Sequence, residues 1–288
     1  MRRLDQELVN RGLCESREKA KRLVLAGQVR VNDQVAQKPS DSVRPGDTLS
    51  LVAPEKFVSR GGYKLEHALE FFKIDVAGWR ALDLGASTGG FTDCLLQRGA
   101  IRVHAIDVGQ GQLAWKLRQD ARVVVMEKTN ARTLTARDFP QPFEPVDLAV
   151  ADCSFISLRK IIPPAVALLK PLGKIVALIK PQFEAGKQEA DRGAGVIRDA
   201  AVHERVLNEL KFFVEQFPAS GRDERPREPQ PTKSVKPLCG RSPDRITAGQ
   251  LAATPAPSPI LRWRGVTQSP LLGPAGNKEF LALIEKIT

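Results

Sequence analysis

The stretch Ala81-Leu82-Asp83-Leu84-Gly85-Ala86-Ser87-Thr88-Gly89-Gly90-Phe91-Thr92 joins an apolar run, a carboxylate and closely spaced glycines. It reads as a buried strand ending in Asp83, a turn, and the start of a helix. Glycine has no Cβ, so backbone N–H groups in such a turn can come close to a ligand. The spacing is D-x-G-x-x-x-G-G, not the G-x-G-x-x-G of a dinucleotide site. One strand later, Val103-His104-Ala105-Ile106-Asp107 ends in a second carboxylate, which suits the two hydroxyls of a ribose. The pattern points to a nucleoside without a pyrophosphate, and S-adenosylmethionine fits that description. A glycine-rich strand–helix turn that holds no ligand is the alternative at this stage.

These groups need elements to place them. From Ser59 onward the sequence alternates strand and helix patterns: helix 62–72, strand 79–84, helix 90–98, strand 102–107, helix 111–118 and strand 122–126. Then come strand 146–151, helix 158–169, strand 173–180 and helix 199–216. The order predicts an α/β fold with a parallel, doubly wound, Rossmann-like sheet, whose ligands bind at the carboxyl ends of the strands. Asp83, Asp107, Asp152 and Lys180 all fall at such ends. Leu261–Thr267 reads as a returning strand, and the turn from Ser269 through Asn277 leads into a predicted final helix.

Composition narrows the class. The chain has 288 residues and a formal charge of +11. Residues 1–60 hold 12 Lys/Arg against 8 Asp/Glu, and residues 218–264 hold 9 against 4. Basic flanks on a near-neutral centre suit an acidic macromolecule, most simply nucleic acid. Cys14, Cys94, Cys153 and Cys239 are scattered, without a C-x-x-C pair or a histidine cluster, so neither a metal site nor a disulfide framework is expected. Charges arrive too early for a signal peptide, and no apolar run approaches the ~18 residues of a membrane span. A soluble cytoplasmic protein that does not engage membranes is expected.

The first 52 residues form a pattern of their own. Leu4, Leu8 and Val9 give a short amphipathic helix. Ser16 can cap a second helix from Arg17 to Ala26, stopped by Gly27. A hairpin turning at Asn32-Asp33 and a strand over Thr48–Val52 follow. The sequence R-L-D-x-x-L-V-x-R-G-L-x-x-S-R-x-x-A, with the later G-x-V-x-V-N, resembles the S4 RNA-binding domain. The resemblance implies RNA contacts from Arg3, Arg11, Ser16, Arg17, Lys21 and Arg30. The domains expected are residues 1–53, a linker at 54–58, and residues 59–288.

Four further ionisable residues stand out: Lys64 in S-R-G-G-Y-K-L, Asp152 in D-C-S-F, Lys180 in K-P-Q-F-E, and Glu279 in G-P-A-G-N-K-E-F. With the glycine loop, these segments resemble the hemolysin-A-type (TlyA) family, in which an S4 domain precedes an FtsJ-like ribose methyltransferase. The resemblance implies S-adenosylmethionine as methyl donor, ribosomal RNA in its subunits as substrate and cytidine as target; a monomer is expected. It implies a catalytic tetrad of Lys64, Asp152, Lys180 and Glu279. On the cofactor side it implies Asp83, Gly85, Ser87, Thr88, Gly89, Gly90, Phe91, Asp107, Asn130 and Asp152, with Arg60 on the RNA side.

The residue types suit that reaction. A ribose hydroxyl is a poor nucleophile at neutral pH, so it needs a base and a stabiliser of the developing oxyanion. Lys180 is expected as the proton acceptor, oriented by Asp152, and Lys64 as the stabiliser, held by Glu279; the two lysines are also able to exchange roles. Glu184 is the other carboxylate near Lys180 and can instead hold the loop. Asp152-Cys153-Ser154-Phe155 lacks the D/N-P-P-Y/F form of base-amine methyltransferases, which favours ribose oxygen.

Residues 218–262 depart from the resemblance. Nine prolines and few large apolar residues make them a disordered insertion by composition. Two other functions compete: an RNA-binding assembly factor that has lost turnover, and membrane lysis, for which no amphipathic apolar helix is present.

Overall fold

The computed structural model describes residues 1–52, 55–186, 189, 195–218 and 260–287. The chain divides into two compact units, Met1–Lys56 and Phe57–Thr288. Most of the expected insertion, residues 219–259, lies outside the described residues.

The first unit contains β1 (Arg2–Arg3), α1 (Leu4–Asn10), α2 (Arg17–Leu25), β2 (Val29–Val31), β3 (Gln34–Val35), β4 (Ser42–Val43) and β5 (Leu49–Leu51). β1 pairs with β4, and a second sheet runs β3-β2-β5. Asn32 and Asp33 turn the hairpin at φ 49° and 66°, a left-handed pair that Asn and Asp tolerate. Leu4, Leu8, Ala20, Val24, Val29 and Val43 close the core between the helices and the sheets. Ser16 caps α2 by accepting from the Lys19 N–H at 3.2 Å.

The second unit contains α3 (Gly61–Phe71), β6 (Arg80–Leu84), α4 (Gly90–Gln97), β7 (Arg102–Ile106), α5 (Trp115–Arg118), β8 (Val123–Met126) and β9 (Val146–Ala151). It continues with α6 (Ile162–Leu168), β10 (Leu169–Ile179), α7 (Pro181–Glu184), α8 (Ala200–Glu215), β11 (Leu261–Gln268) and β12 (Phe280–Lys286). Seven strands form one sheet in the order β11-β12-β10-β9-β6-β7-β8. β10, β9, β6, β7 and β8 are parallel to their neighbours, while β12 runs antiparallel to β10 and β11. The chain leaves β6 for β7 on one side, and β9 joins on the other. The strand order therefore reverses between β6 and β9, which opens a crevice at their carboxyl ends.

Alternate residues of each strand feed two cores. Leu82 and Leu84 pack on one face with Ile162, Leu168 and Leu210. Ala81 faces Leu65, Leu69 and Leu95 from α3 and α4 on the other. A strand covered on both faces reads as a continuous apolar run, which explains Val146–Ala151.

Three expectations are corrected. The segment after Asn277 is a strand, not a helix. Leu281 and Leu283 enter one core, and Ala282 and Ile284 the other, because β12 is inserted between β10 and β11 and buried on both faces. The helix expected over 111–118 is confined to Trp115–Arg118. Gly111 takes φ +75°, its N–H donates to Glu127 and the Ala114 N–H donates to the Thr88 carbonyl, so that stretch is spent on loop contacts. The last two residues assigned to the insertion, Leu261 and Arg262, are already in β11.

Candidate active site

The glycine loop after β6 is shaped by three close approaches. Gly85 has φ +87°, and a Cβ there would lie 2.9 Å from the Asp152 carbonyl oxygen, where β6 and β9 converge. Gly89 has φ +94°, and a Cβ would meet Leu117 at 2.3 Å. A Cβ on Gly90 would meet Ser59 Oγ at 2.3 Å and the Gly62 nitrogen at 2.9 Å, so α4 can start only against a glycine-rich α3 start. Asp107 Oδ2 accepts from the Ser87 N–H at 2.8 Å, and Oδ1 accepts from the Gly109 N–H at 2.7 Å. Asp107 thus ties the glycine loop to the loop after β7.

Asp83 faces α4. Its Oδ2 accepts from the Thr92 N–H at 2.9 Å and from Thr92 Oγ1 at 2.7 Å. The residue is fully buried, and Oδ1 has no hydrogen-bond partner among the described residues. Burial, joined by the negative charges of Asp152 and Asp107, pushes its carboxyl up to about 7, against the lowering effect of Thr92.

Two lysine–carboxylate pairs complete the site. Lys64 on α3 lies 2.5 Å from Glu279 Oε2, and both are buried. Glu279 reaches this place because Gly273 leaves room, since a Cβ there would lie 2.5 Å from Oε1. The loop carrying Glu279 is pinned by the buried Asn277, which accepts from the Ile197 N–H at 2.9 Å and donates to the Gly195 carbonyl at 2.8 Å. Lys180 lies 2.6 Å from Asp152 Oδ1 and donates to Ser154 Oγ at 2.8 Å. Glu184 accepts from Ser157 Oγ at 2.6 Å and from the Leu158 N–H at 2.7 Å, so it holds the loop after β9 and does not pair with Lys180. Desolvation raises its carboxyl pKa, opposed by those two bonds. Cys153, next to Asp152, is pushed up to about 12 by burial and stays a thiol.

A cavity of about 270 Å³ joins these parts. Ser59, Arg60, Lys64, Asp83, Gly85, Ser87, Thr88, Gly90, Phe91, Asp152, Ser154, Lys180 and Pro274 border it. Of the residues expected from the sequence, Gly89, Asp107, Asn130 and Glu279 are not among its described lining residues. Glu279 stands behind Lys64 and Asp107 behind Ser87. Asn130 is exposed and caps the turn at Ala131–Thr133 through the Arg132 N–H at 3.0 Å. Ser59, Ser154 and Pro274 were not singled out from the sequence. The serines lie in S-R-G-G and D-C-S-F, the motifs that carry Lys64 and Asp152, so motif membership was the available signal. Phe155 was also missed: it is 91% exposed, has φ 62°, and packs on Phe183 with centroids 5.0 Å apart.

In the first unit the expected RNA contacts are largely engaged within the unit itself. Arg3 and Arg17 both donate to the buried Asp5, at 3.0–3.1 Å. The bond from Arg3, joined by that from Arg17, holds the Asp5 carboxyl down at about 2 despite burial. Arg11 pairs with Glu7 at 2.9 Å and donates to the Asp47 carbonyl at 2.6 Å. Lys21 pairs with Glu18 at 3.1 Å, and Arg30 is exposed on β2.

A sheet with an antiparallel strand beside the last parallel one, a glycine loop and acid at the reversal point, and lysine–carboxylate pairs on the cavity define an α/β methyltransferase. The sequence profile of the FtsJ-like methyltransferases matches residues 57–227, and that of the S4 domain matches residues 2–49. The chain belongs to the FtsJ-like methyltransferase family and carries an N-terminal S4 domain. It is 51% identical over 71% of its length to the 16S/23S rRNA (cytidine-2′-O)-methyltransferase TlyA of Mycobacterium tuberculosis, covering 76% of that protein. It is 45% identical over 72% of its length to hemolysin A of Brachyspira hyodysenteriae, covering 85% of it. A solved structure of a candidate hemolysin from Streptococcus thermophilus superposes with a TM-score of 0.64 at 38% identity, over 99% of this chain and 88% of that one. Among the described residues, no helix is long and apolar enough to cross a membrane.

Proposed function

We propose that this protein methylates the 2′-hydroxyl of a ribose in ribosomal RNA, with cytidine as the nucleoside, and that it works on ribosomal subunits in the cytoplasm as a monomer. The observation that carries this reading is the pair of lysine–carboxylate contacts on one cavity at the sheet's reversal point. The similarity to a protein named for the same reaction supports it.

The cavity fits S-adenosylmethionine. Gly85 and Gly90 leave backbone in its wall, and the unpartnered Asp83 Oδ1 offers a buried acceptor to a cationic ligand. Asp83, Ser87, Thr88 and Phe91 would hold the cofactor in the cavity. Asp107 would receive its ribose from beside the loop, where each oxygen keeps acceptor capacity beyond its one N–H. When bound, the cofactor supplies a methyl group on a positively charged sulfur, open to attack by oxygen.

The chain's own residues do the rest. Lys180 accepts the hydroxyl proton. Asp152 orients Lys180 and balances the charge it gains. Lys64, fixed by Glu279, offers a cation to the developing oxyanion. Burial and close placement make these contacts stronger than in water. Arg60 at the rim suits a phosphate, and the exposed ring of Phe155 suits stacking on an unpaired base. Arg3, Arg11, Ser16, Arg17, Lys21 and Arg30 would add phosphate contacts from the first unit.

The test is transfer of a tritiated methyl group to unmodified ribosomal subunits, followed by mapping of 2′-O-methyl positions. Label at a ribose hydroxyl is expected. RNA binding without any label would replace this reading with that of an assembly factor, and label on a base would move the chemistry to nitrogen or carbon.

A further inference from the structure

Lys180 has more partners than its pairing with Asp152 requires. Its Nζ meets both Asp152 Oδ1 at 2.6 Å and Ser154 Oγ at 2.8 Å, and all three residues border the cavity. The loop that presents Ser154 is fixed at both ends. The Asp152 N–H donates to the Leu84 carbonyl at 3.0 Å, and Glu184 holds Ser157 and Leu158 at the far end. Between them Phe155 takes a left-handed conformation, φ 62°, uncommon for a bulky residue. The backbone of Lys180 is fixed as well, since its carbonyl accepts from the Phe183 N–H at 2.9 Å where α7 begins.

We infer that Ser154 is a positioning residue that aims the lone pair of Lys180 into the cavity. The inference rests on the methyl-transfer reading above. An ammonium has three N–H bonds in fixed tetrahedral directions, and a neutral amine has two and a lone pair. Asp152 holds Nζ by charge at 2.6 Å without a directional hydrogen bond, since its Oδ1 has no hydrogen-bond partner among the described residues, and alone it would leave the group free to turn about the Cε–Nζ bond. The bond to Ser154 takes one N–H direction and so fixes that turn, which sets the other two directions.

The neutral amine that acts as base has given one proton to solvent from a direction that Ser154 does not hold. The lone pair it leaves points where the substrate enters. When the ribose hydroxyl arrives, its O–H bond breaks and an N–H bond forms on Lys180. The electron pair of the broken bond stays on oxygen and is available for the new O–C bond. Lys180 returns to the ammonium form it started from.

The experiment compares the full-length parent, S154A and S154T in steady-state methyl transfer to unmodified ribosomal subunits. S154A should lose roughly 10- to 100-fold in kcat, the scale of a misaligned catalytic group. Its KM for RNA and for cofactor should stay within about twofold of the parent, as expected for an interaction that matters only in the transition state. S154T, which keeps the hydroxyl, should recover most of the rate. Ser154 is exposed, so both variants should melt with the parent. Parental kcat in S154A would overturn the role of Ser154 while leaving the methyl-transfer reading intact. So would equal losses in S154A and S154T, or a raised KM with kcat unchanged. A parent that transfers no methyl group would overturn that reading, and the inference with it.

Discussion

The two lysine–carboxylate pairs use the same residue types on one cavity, yet their settings differ. Lys64 and Glu279 stand 215 residues apart in sequence, with side chains 9% and 0% exposed, and Glu279 is buried behind the Lys64 that borders the cavity. Lys180 and Asp152 come from the ends of neighbouring parallel strands, with side chains 10% and 24% exposed, so it is the carboxylates that differ. Lys180 has a hydroxyl as a second partner, while each pair leaves one carboxylate oxygen, Asp152 Oδ1 and Glu279 Oε1, without a hydrogen-bond partner among the described residues. A pair with a buried carboxylate suits a charge that must stay where it is, because separating buried ions is costly. A pair with a more exposed carboxylate, and a hydroxyl to steady the lysine, suits a group that must give up and regain a proton. On the proposed reading, the two pairs divide fixed electrostatics from proton transfer.

The sharpest test of that division is Lys180→Ala. It should lower methyl transfer by about 10²–10⁴-fold, the usual contribution of a proton acceptor, while cofactor and RNA still bind. Lys180→Arg should not restore the rate, since arginine stays protonated. Robust turnover by either variant would put the base elsewhere.

Next in size is stability. Glu279→Ala strands a buried Lys64 and should cost about 3–5 kcal/mol in urea unfolding. Asp152→Ala should cost less, because the Lys180 it strands keeps the Ser154 hydroxyl as a partner. Equal losses in the two would show that this second partner does not distinguish the pairs.

Asp107 serves the loop around both pairs. Asp107→Ala removes the acceptor from the Ser87 and Gly109 N–H groups, and on the proposed reading also the acceptor for the cofactor's ribose. Cofactor affinity should fall by about 1.5–3 kcal/mol for each charge-assisted bond lost, measured by calorimetry. Unchanged affinity would remove Asp107 from the cofactor site.

A separate, pH-dependent effect concerns Asp83, whose carboxylate finds only Thr92 as a side-chain partner among the described residues. Its ordinary value of 3.8 rises to about 7 on folding. The folded protein therefore keeps a proton that the unfolded chain releases. The stability this contributes is complete below the unfolded value and is lost as pH rises through about 7. Asp83→Asn is neutral throughout, so its melting temperature relative to the parent should improve between about pH 5 and pH 8. A constant difference across that range would mean that Asp83 does not titrate there.

Much of the catalytic unit could be read along the chain. Asp83, Asp107, Asp152 and Lys180 sit at strand ends because apolar runs and glycine turns are local patterns, and the rule for parallel sheets converts strand ends into site positions. The final strand could not be read in this way. Phe280–Lys286 is apolar enough for a helix or a strand, and its slot between β10 and β11 is set by partners far away in sequence. The arginines of the first unit show the same limit. The motif identified their positions, but only packing brought Arg3 and Arg17 onto Asp5.

By itself, the sequence determined the order of elements, the glycine loop, the acids at the strand ends and the family to which they belong. Each follows from residue type and short-range spacing, which the backbone reads directly. Only the tertiary structure decided that Glu279 reaches its expected partner Lys64 from a strand and not a helix, which of its two open roles Glu184 takes, and that Ser154 shares Lys180 with Asp152. Those contacts depend on which strands become neighbours and how their end loops face one another, and sheet order is settled by the burial of both faces at once.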